Sequence, residues 1–179
     1  MNIAPSALLL AAYLYFLGGG AALASFFSAA LAHELGHLSM LGLLGAQIHG
    51  VSLTAAGPMI EYNGCFTQRQ EAGIIAAGPV AGIAFAVLCF ILDTPYFRYA
   101  ALVAALGSAF NLLPAFPMDG GRLTRMLLEA SMPDKTALLV SRILGALTAI
   151  GVGALGVSWR APVIAAVGIL LLANALVMR

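Results

Sequence analysis

The chain has 179 residues, of which 62% are hydrophobic and only 8% charged, with a formal net charge of +1. A soluble domain carries about 25% charged residues, so this composition, with a mean hydropathy of +1.02, predicts an integral membrane protein and argues against a water-soluble enzyme. With no basic patch, nucleic acid is not an expected partner, and the length allows one domain of several spans with short connections.

In chain order, residues 3–17 form a first apolar segment, ended by Gly18-Gly19-Gly20. Ala22-Leu23-Ala24 resembles a signal-peptide cleavage site, but no Lys or Arg precedes it and a second apolar run follows at once, so retention is the expectation. The second span, about 21–44, carries His33-Glu34-Leu35-Gly36-His37. Residues 47–66 change character. Val51–Thr54 and Met59–Tyr62 look extended, with a turn expected at Gly57-Pro58 and another at Asn63-Gly64. A β-hairpin dipping into the membrane edge fits a stretch too interrupted for a helix and too little charged for an aqueous loop.

The third span covers 71–92 and contains Gly78-x-x-x-Gly82, a pattern that favours close helix contact. The fourth covers 96–113 and is stopped by Pro114 and Pro117. After Met118-Asp119-Gly120-Gly121-Arg122, a short interfacial helix is expected at 123–130, with Arg122, Arg125 and Glu129 outward. Spans five and six are expected at 136–157 and 161–178, with Arg142 snorkelling to the interface. The expected fold is thus an all-α polytopic membrane protein: six transmembrane helices with a hairpin between the second and third, in a single domain of residues 1–179. Arg69, Arg122, Arg125 and Lys135 fall on one side of such a bundle, and Arg98 and Arg160 on the other. The positive-inside rule then places both termini in the cytoplasm of a plasma membrane, prokaryotic by expectation. Tyr13, Tyr15, Phe16, Tyr96, Phe97, Tyr99 and Trp159 would form an aromatic belt at the opposite face. Cys65 and Cys89 are expected to be free thiols.

The chemistry lies in the second span. Four residues apart on a helix, His33 and His37 share one face and can share a zinc ion, with Glu34 close enough to take a proton from bound water. Ionisable residues in a hydrocarbon-compatible helix are expensive and point to function. A tetrahedral zinc needs a third protein ligand and an open position. On the six-span topology, Asp119 approaches from the same cytoplasmic side and is the best candidate. Zn2+ with one carboxylate ligand and Glu34 sums to about neutral. The reaction expected is peptide hydrolysis with Glu34 as general base, and Asn111 either stabilises the oxyanion or caps its span. A polytopic transporter or metal channel would use the same polar residues as transit sites, and a catalytically idle scaffold is a third class; the open ligand set and intact base favour the hydrolase. His49 reads as interfacial and Asn174 as a packing contact.

His33–His37, Ala77-Gly78-Pro79 and the run Asn111-Leu112-Leu113-Pro114-Ala115-Phe116-Pro117-Met118-Asp119-Gly120-Gly121 resemble, in order and spacing, the site-2 proteases. These are intramembrane zinc metalloproteases, and the resemblance is to their compact sporulation-type branch that processes membrane-bound pro-sigma factors. It implies zinc ligation by His33, His37 and Asp119, catalysis by Glu34, an active-site role for Asn111, and a hairpin that offers an edge to an extended membrane-protein substrate. Gly82 departs from the pattern, standing where many relatives carry a polar residue. Neither a nucleotide-sensing domain after the last span nor a PDZ-type insert is expected, and any regulatory membrane partner is unspecified.

Overall fold

The computed structural model describes residues 2–3, 5–54 and 57–177. They fall into two compact units, Met1–Ala109 and Phe110–Arg179. The first contains β1 (Asn2–Ile3), α1 (Pro5–Leu43), β2 (Gln47–Thr54), β3 (Gly57–Asn63), α2 (Gln68–Leu92) and α3 (Pro95–Asn111), whose last residues open the second unit. The second contains α4 (Asp119–Glu129), α5 (Asp134–Ser158) and α6 (Pro162–Val177).

In the first unit, α1 covers both of the first two expected spans. Gly18 and Gly19 nevertheless leave helical geometry, Gly19 at a φ of 65° that only glycine adopts easily. Beyond that break Ala22, Ser25, Ala29, His33, His37 and Leu41 are buried, a spacing of three and four that defines one helix face. Phe27, Leu31 and Leu35 are exposed on another face. The buried face packs on α2, and Ala29 joins Ala86 and Ala104 in a core cluster backed by Phe85 and Val103. A second cluster, Cys89 with Ala100 and Ala101, joins α2 to α3.

The hairpin forms as an antiparallel pair whose register slips between Ile48 and Gly50. The expected turn at Gly57-Pro58 is corrected: both residues are paired, Thr54 with Gly57 and Leu53 with Pro58. β3 is an edge strand of the three-stranded order β1-β2-β3, where proline's missing N–H leaves no ladder bond unmade. The turn itself lies outside the described residues. β1 adds in parallel to β2, Asn2 opposite Ser52, a pairing the sequence analysis did not anticipate. Helix α2 starts three residues before the expected span, because Thr67 and Gln70 form a reciprocal capping box.

In the second unit, the expected short helix begins earlier, at Asp119, and runs through both glycines. Helices α5 and α6 form an antiparallel pair. A Cβ at Gly145 would touch that of Ala175 at 3.4 Å, and one at Gly168 would overlap the backbone of Gly153. The Arg142 guanidinium reaches the end of α6, where it donates to the carbonyls of Ala175 (3.2 Å) and Leu176 (2.7 Å).

Among the described residues two helices, Gln68–Leu92 and Asp134–Ser158, are long and apolar enough to cross a membrane. The difference from six expected spans is partly one of length. The 16 residues of α6 rise about 24 Å, short of the roughly 30 Å hydrocarbon core.

Candidate metal centre

The first unit supplies two imidazoles. His33 and His37 are each 9% exposed, and their Nε2 atoms lie 3.2 Å apart. Two nitrogens bound at 2.0–2.1 Å to a tetrahedral zinc would stand roughly 3.3 Å apart, so the spacing matches one edge of such a site. The rings meet edge to face, at 79°.

The tautomer of His37 follows from its other nitrogen. Nδ1 lies 2.7 Å from the carbonyl oxygen of Ile74. A carbonyl only accepts, so Nδ1 carries the proton and Nε2 presents its lone pair toward His33. Those facing nitrogens need a cation or a proton between them.

The carbonyl reaches His37 because α1 and α2 touch closely. A Cβ on Gly36 would overlap the carbonyl of Ala77, and one on Gly78 would overlap the His37 imidazole itself. The Gly78-x-x-x-Gly82 pattern therefore does mark close contact, and its first glycine makes room for a candidate ligand. Sequence reasoning missed the Ile74 carbonyl, a backbone atom that leaves no residue-type signal. Glu34, the next residue after His33, is half-buried.

The second unit supplies a carboxylate. Asp119 is the first residue of α4 and 7% exposed. An acidic residue suits this place, where the helix N-terminus carries partial positive charge. Arg122 lies one turn on, with Nη1 4.0 Å from Oδ1. The start of α4 presses on the preceding turn: a Cβ on Gly120 would overlap the Leu112 carbonyl, and one on Gly121 would meet Ala115 and Phe116 backbone at 2.5–2.6 Å. The short helix expected at 123–130 leaves Asp119 and both glycines in the irregular segment before it, whereas the helix starts at Asp119 itself. The glycines let an ordinary helix start against the preceding backbone. Asn111, half-buried, ends α3 in the same unit.

Other candidates separate from these two groups. His49 is exposed in the hairpin. Asn174 spends its amide on the Leu170 carbonyl of its own helix (3.0 Å). Cys65 and Cys89 are both free thiols, one exposed and one buried.

No family model matches the chain. It is 29% identical over 112 residues to the zinc metalloprotease MJ0392 of Methanocaldococcus jannaschii, covering 58% of this chain and 33% of that protein. It is 32% identical over 130 residues to the putative zinc metalloprotease Rip3 of Mycobacterium tuberculosis, covering 65% of this chain and 33% of that protein. The chain thus spans about a third of the length of the curated relatives it matches. Among solved structures, a site-2 protease from Methanocaldococcus jannaschii aligns with a TM-score of 0.73 at 22% identity, covering 94% of this chain and 83% of that one. The fold described here is a site-2 protease fold.

Proposed function

We propose that this chain is a zinc metalloendopeptidase that cuts a peptide bond within or beside a membrane segment of its substrate. One observation carries the reading: two buried imidazoles, one with its tautomer set by a backbone carbonyl, face each other at the spacing of a tetrahedral zinc edge. The fold, and the zinc metalloproteases to which the sequence is similar, support it.

In this reading His33 and His37 of the first unit and Asp119 of the second, each buried in its own unit's packing, are the protein ligands. When bound, zinc supplies a Lewis acid that polarises the scissile carbonyl and lowers the pKa of a coordinated water. Glu34 accepts a proton from the attacking water at its carboxylate and returns it to the leaving amine. Asn111 donates its amide N–H to the developing oxyanion or the substrate backbone. With one carboxylate ligand and Glu34 the loaded site is near neutral, which lowers its desolvation cost.

A bilayer setting is supported by the inverted packing of both units. Buried positions are mainly Ala, Gly and Ser, while Val80, Ile83, Phe90 and Ile91 of α2, and Leu147, Leu155 and Ile169 of the second unit, are exposed. Water would not tolerate that much exposed large apolar surface on a monomer. The same reading keeps six crossings, cytoplasmic termini and a hairpin that pairs with an unwound substrate. The motif spacing resembles the sporulation-type branch, so membrane-tethered pro-sigma factors are the first substrates to try.

The test is co-expression with candidate single-span proteins, comparing wild type, Glu34→Gln and Asp119→Ala. Cleavage by wild type alone is expected, with zinc retained in Glu34→Gln. Equal cleavage by all three overturns the proposal. Metal flux into vesicles without any cleavage would place the same residues in a transporter instead.

A further inference from the structure

We propose that Ser108 is a positioning residue for His33, holding the outer nitrogen of that imidazole as the Ile74 carbonyl holds that of His37. The inference rests on the metal-site reading above and concerns a residue that the reading leaves unused. With Nε2 of His33 turned to His37, Nδ1 is the side on which a ligating histidine is normally oriented by a second group.

Gly82 of α2 shows what stands on that side. A Cβ built there would overlap the hydroxyl of Ser108 from α3 and would lie 3.8 Å from Nδ1 of His33. The absent side chain thus leaves a notch at the δ edge of the ring, and the Ser108 hydroxyl fills it. Ser108 is 3% exposed. Ser28, Thr124, Ser131, Thr148 and Ser158 each donate to a carbonyl of their own helix. Ser108 makes no such bond among the described residues, and neither do the buried Ser25 and Ser141; what sets Ser108 apart is that its hydroxyl stands in the notch beside His33. Across one bridging water Oγ can accept the Nδ1–H, which fixes the tautomer with the Nε2 lone pair toward the metal.

The notch also supplies a rescue. Ser108 Cβ lies 3.6 Å from the position of a Cβ at residue 82, an ordinary contact. In Gly82→Ser/Ser108→Ala the hydroxyl is therefore carried by α2 instead of α3, on a Cβ that clears the alanine and lies 3.8 Å from Nδ1. The measurement is zinc affinity of the full-length chain in detergent, by chelator competition, together with the melting temperature of the zinc-free protein. Ser108→Ala is expected to weaken zinc binding about tenfold or more while leaving the zinc-free melting temperature unchanged. The double variant is expected to recover affinity to within about threefold of wild type. A Ser108→Ala affinity within about twofold of wild type overturns the inference. So does a double variant as weak as the single one, which would mean that Ser108 only fills space. A wild-type chain that binds no zinc sinks the metal reading itself, and Ser108 with it; the wild-type arm separates the two failures.

Discussion

His33 and His37 reach their places by helix periodicity on a continuous stretch of α1, and a neighbouring helix supplies the carbonyl that orients one of them. Asp119 reaches its place differently. Residues 112–118 form irregular backbone between α3 and α4, and two glycines let α4 begin hard against it. One region stores its geometry in regular secondary structure, the other in a single packed turn. The lesson is where each is vulnerable: the imidazole pair to changes on the facing helix, the carboxylate to changes in backbone packing.

The largest expected effect tests the chemistry rather than the scaffold. Glu34→Gln should lower peptide cleavage by about 10²- to 10⁴-fold, the range for a lost general base, with zinc content unchanged. A Gln variant that keeps most of its activity would leave the imidazole pair as a mere binding site.

Next come the two glycine contacts, which distinguish the regions directly. Gly78→Ala drives a Cβ into the His37 imidazole, so zinc affinity should fall by a factor equivalent to about 1–3 kcal/mol of overpacking, with little change in melting temperature. Gly120→Ala drives a Cβ into backbone carbonyls of Leu112 and Leu113, which cannot rotate away, so the same strain should appear as lost stability. If both variants lose stability alike and neither loses zinc preferentially, the contrast between the regions is wrong.

A smaller effect is expected at Arg142. Its two hydrogen bonds to the final carbonyls of α6 complete groups that the helix end leaves unpaired. Bonds from a charged donor are worth about 1.5–3 kcal/mol, so Arg142→Met should lower the melting temperature in detergent without changing zinc affinity. A zinc effect larger than the stability effect would tie the α5–α6 pair to the centre.

The imidazole region was legible in the sequence because its signal is residue type at a fixed spacing, and the structure keeps that spacing. The carboxylate is proposed from residue type and position along the chain, with no spacing rule behind it. Its setting was misread because Gly120-Gly121 looks like a breaker, and what makes those glycines helical is a contact with residues 112–116. The short strand β1 was invisible, since two residues carry no period. The carbonyls that Arg142 meets were invisible for a related reason: which helix end a long basic side chain reaches is unknown until the partner helix is placed.

The start of α2 is the opposite case, a local signal that is fully present in the sequence and easily passed over. Thr67-Gln68-Arg69-Gln70 is a capping box, with the Gln70 backbone nitrogen 3.3 Å from Thr67 Oγ1, to which it donates, and the Thr67 backbone nitrogen 2.8 Å from Gln70 Oε1. Helix α4, by contrast, begins after Met118 with no side-chain cap, and is held there by packing. Thr67→Ala should therefore lose about 1 kcal/mol, readable as faster hydrogen exchange in the first turn of α2 and a small drop in melting temperature. Zinc affinity should hold, because Ile74, whose carbonyl orients His37, lies beyond that turn and is itself only 2% exposed. A Thr67→Ala chain that loses zinc along with its first turn would show that the imidazole pair depends on the whole of α2 cooperatively, and that regular structure is as fragile a store of site geometry as the packed turn.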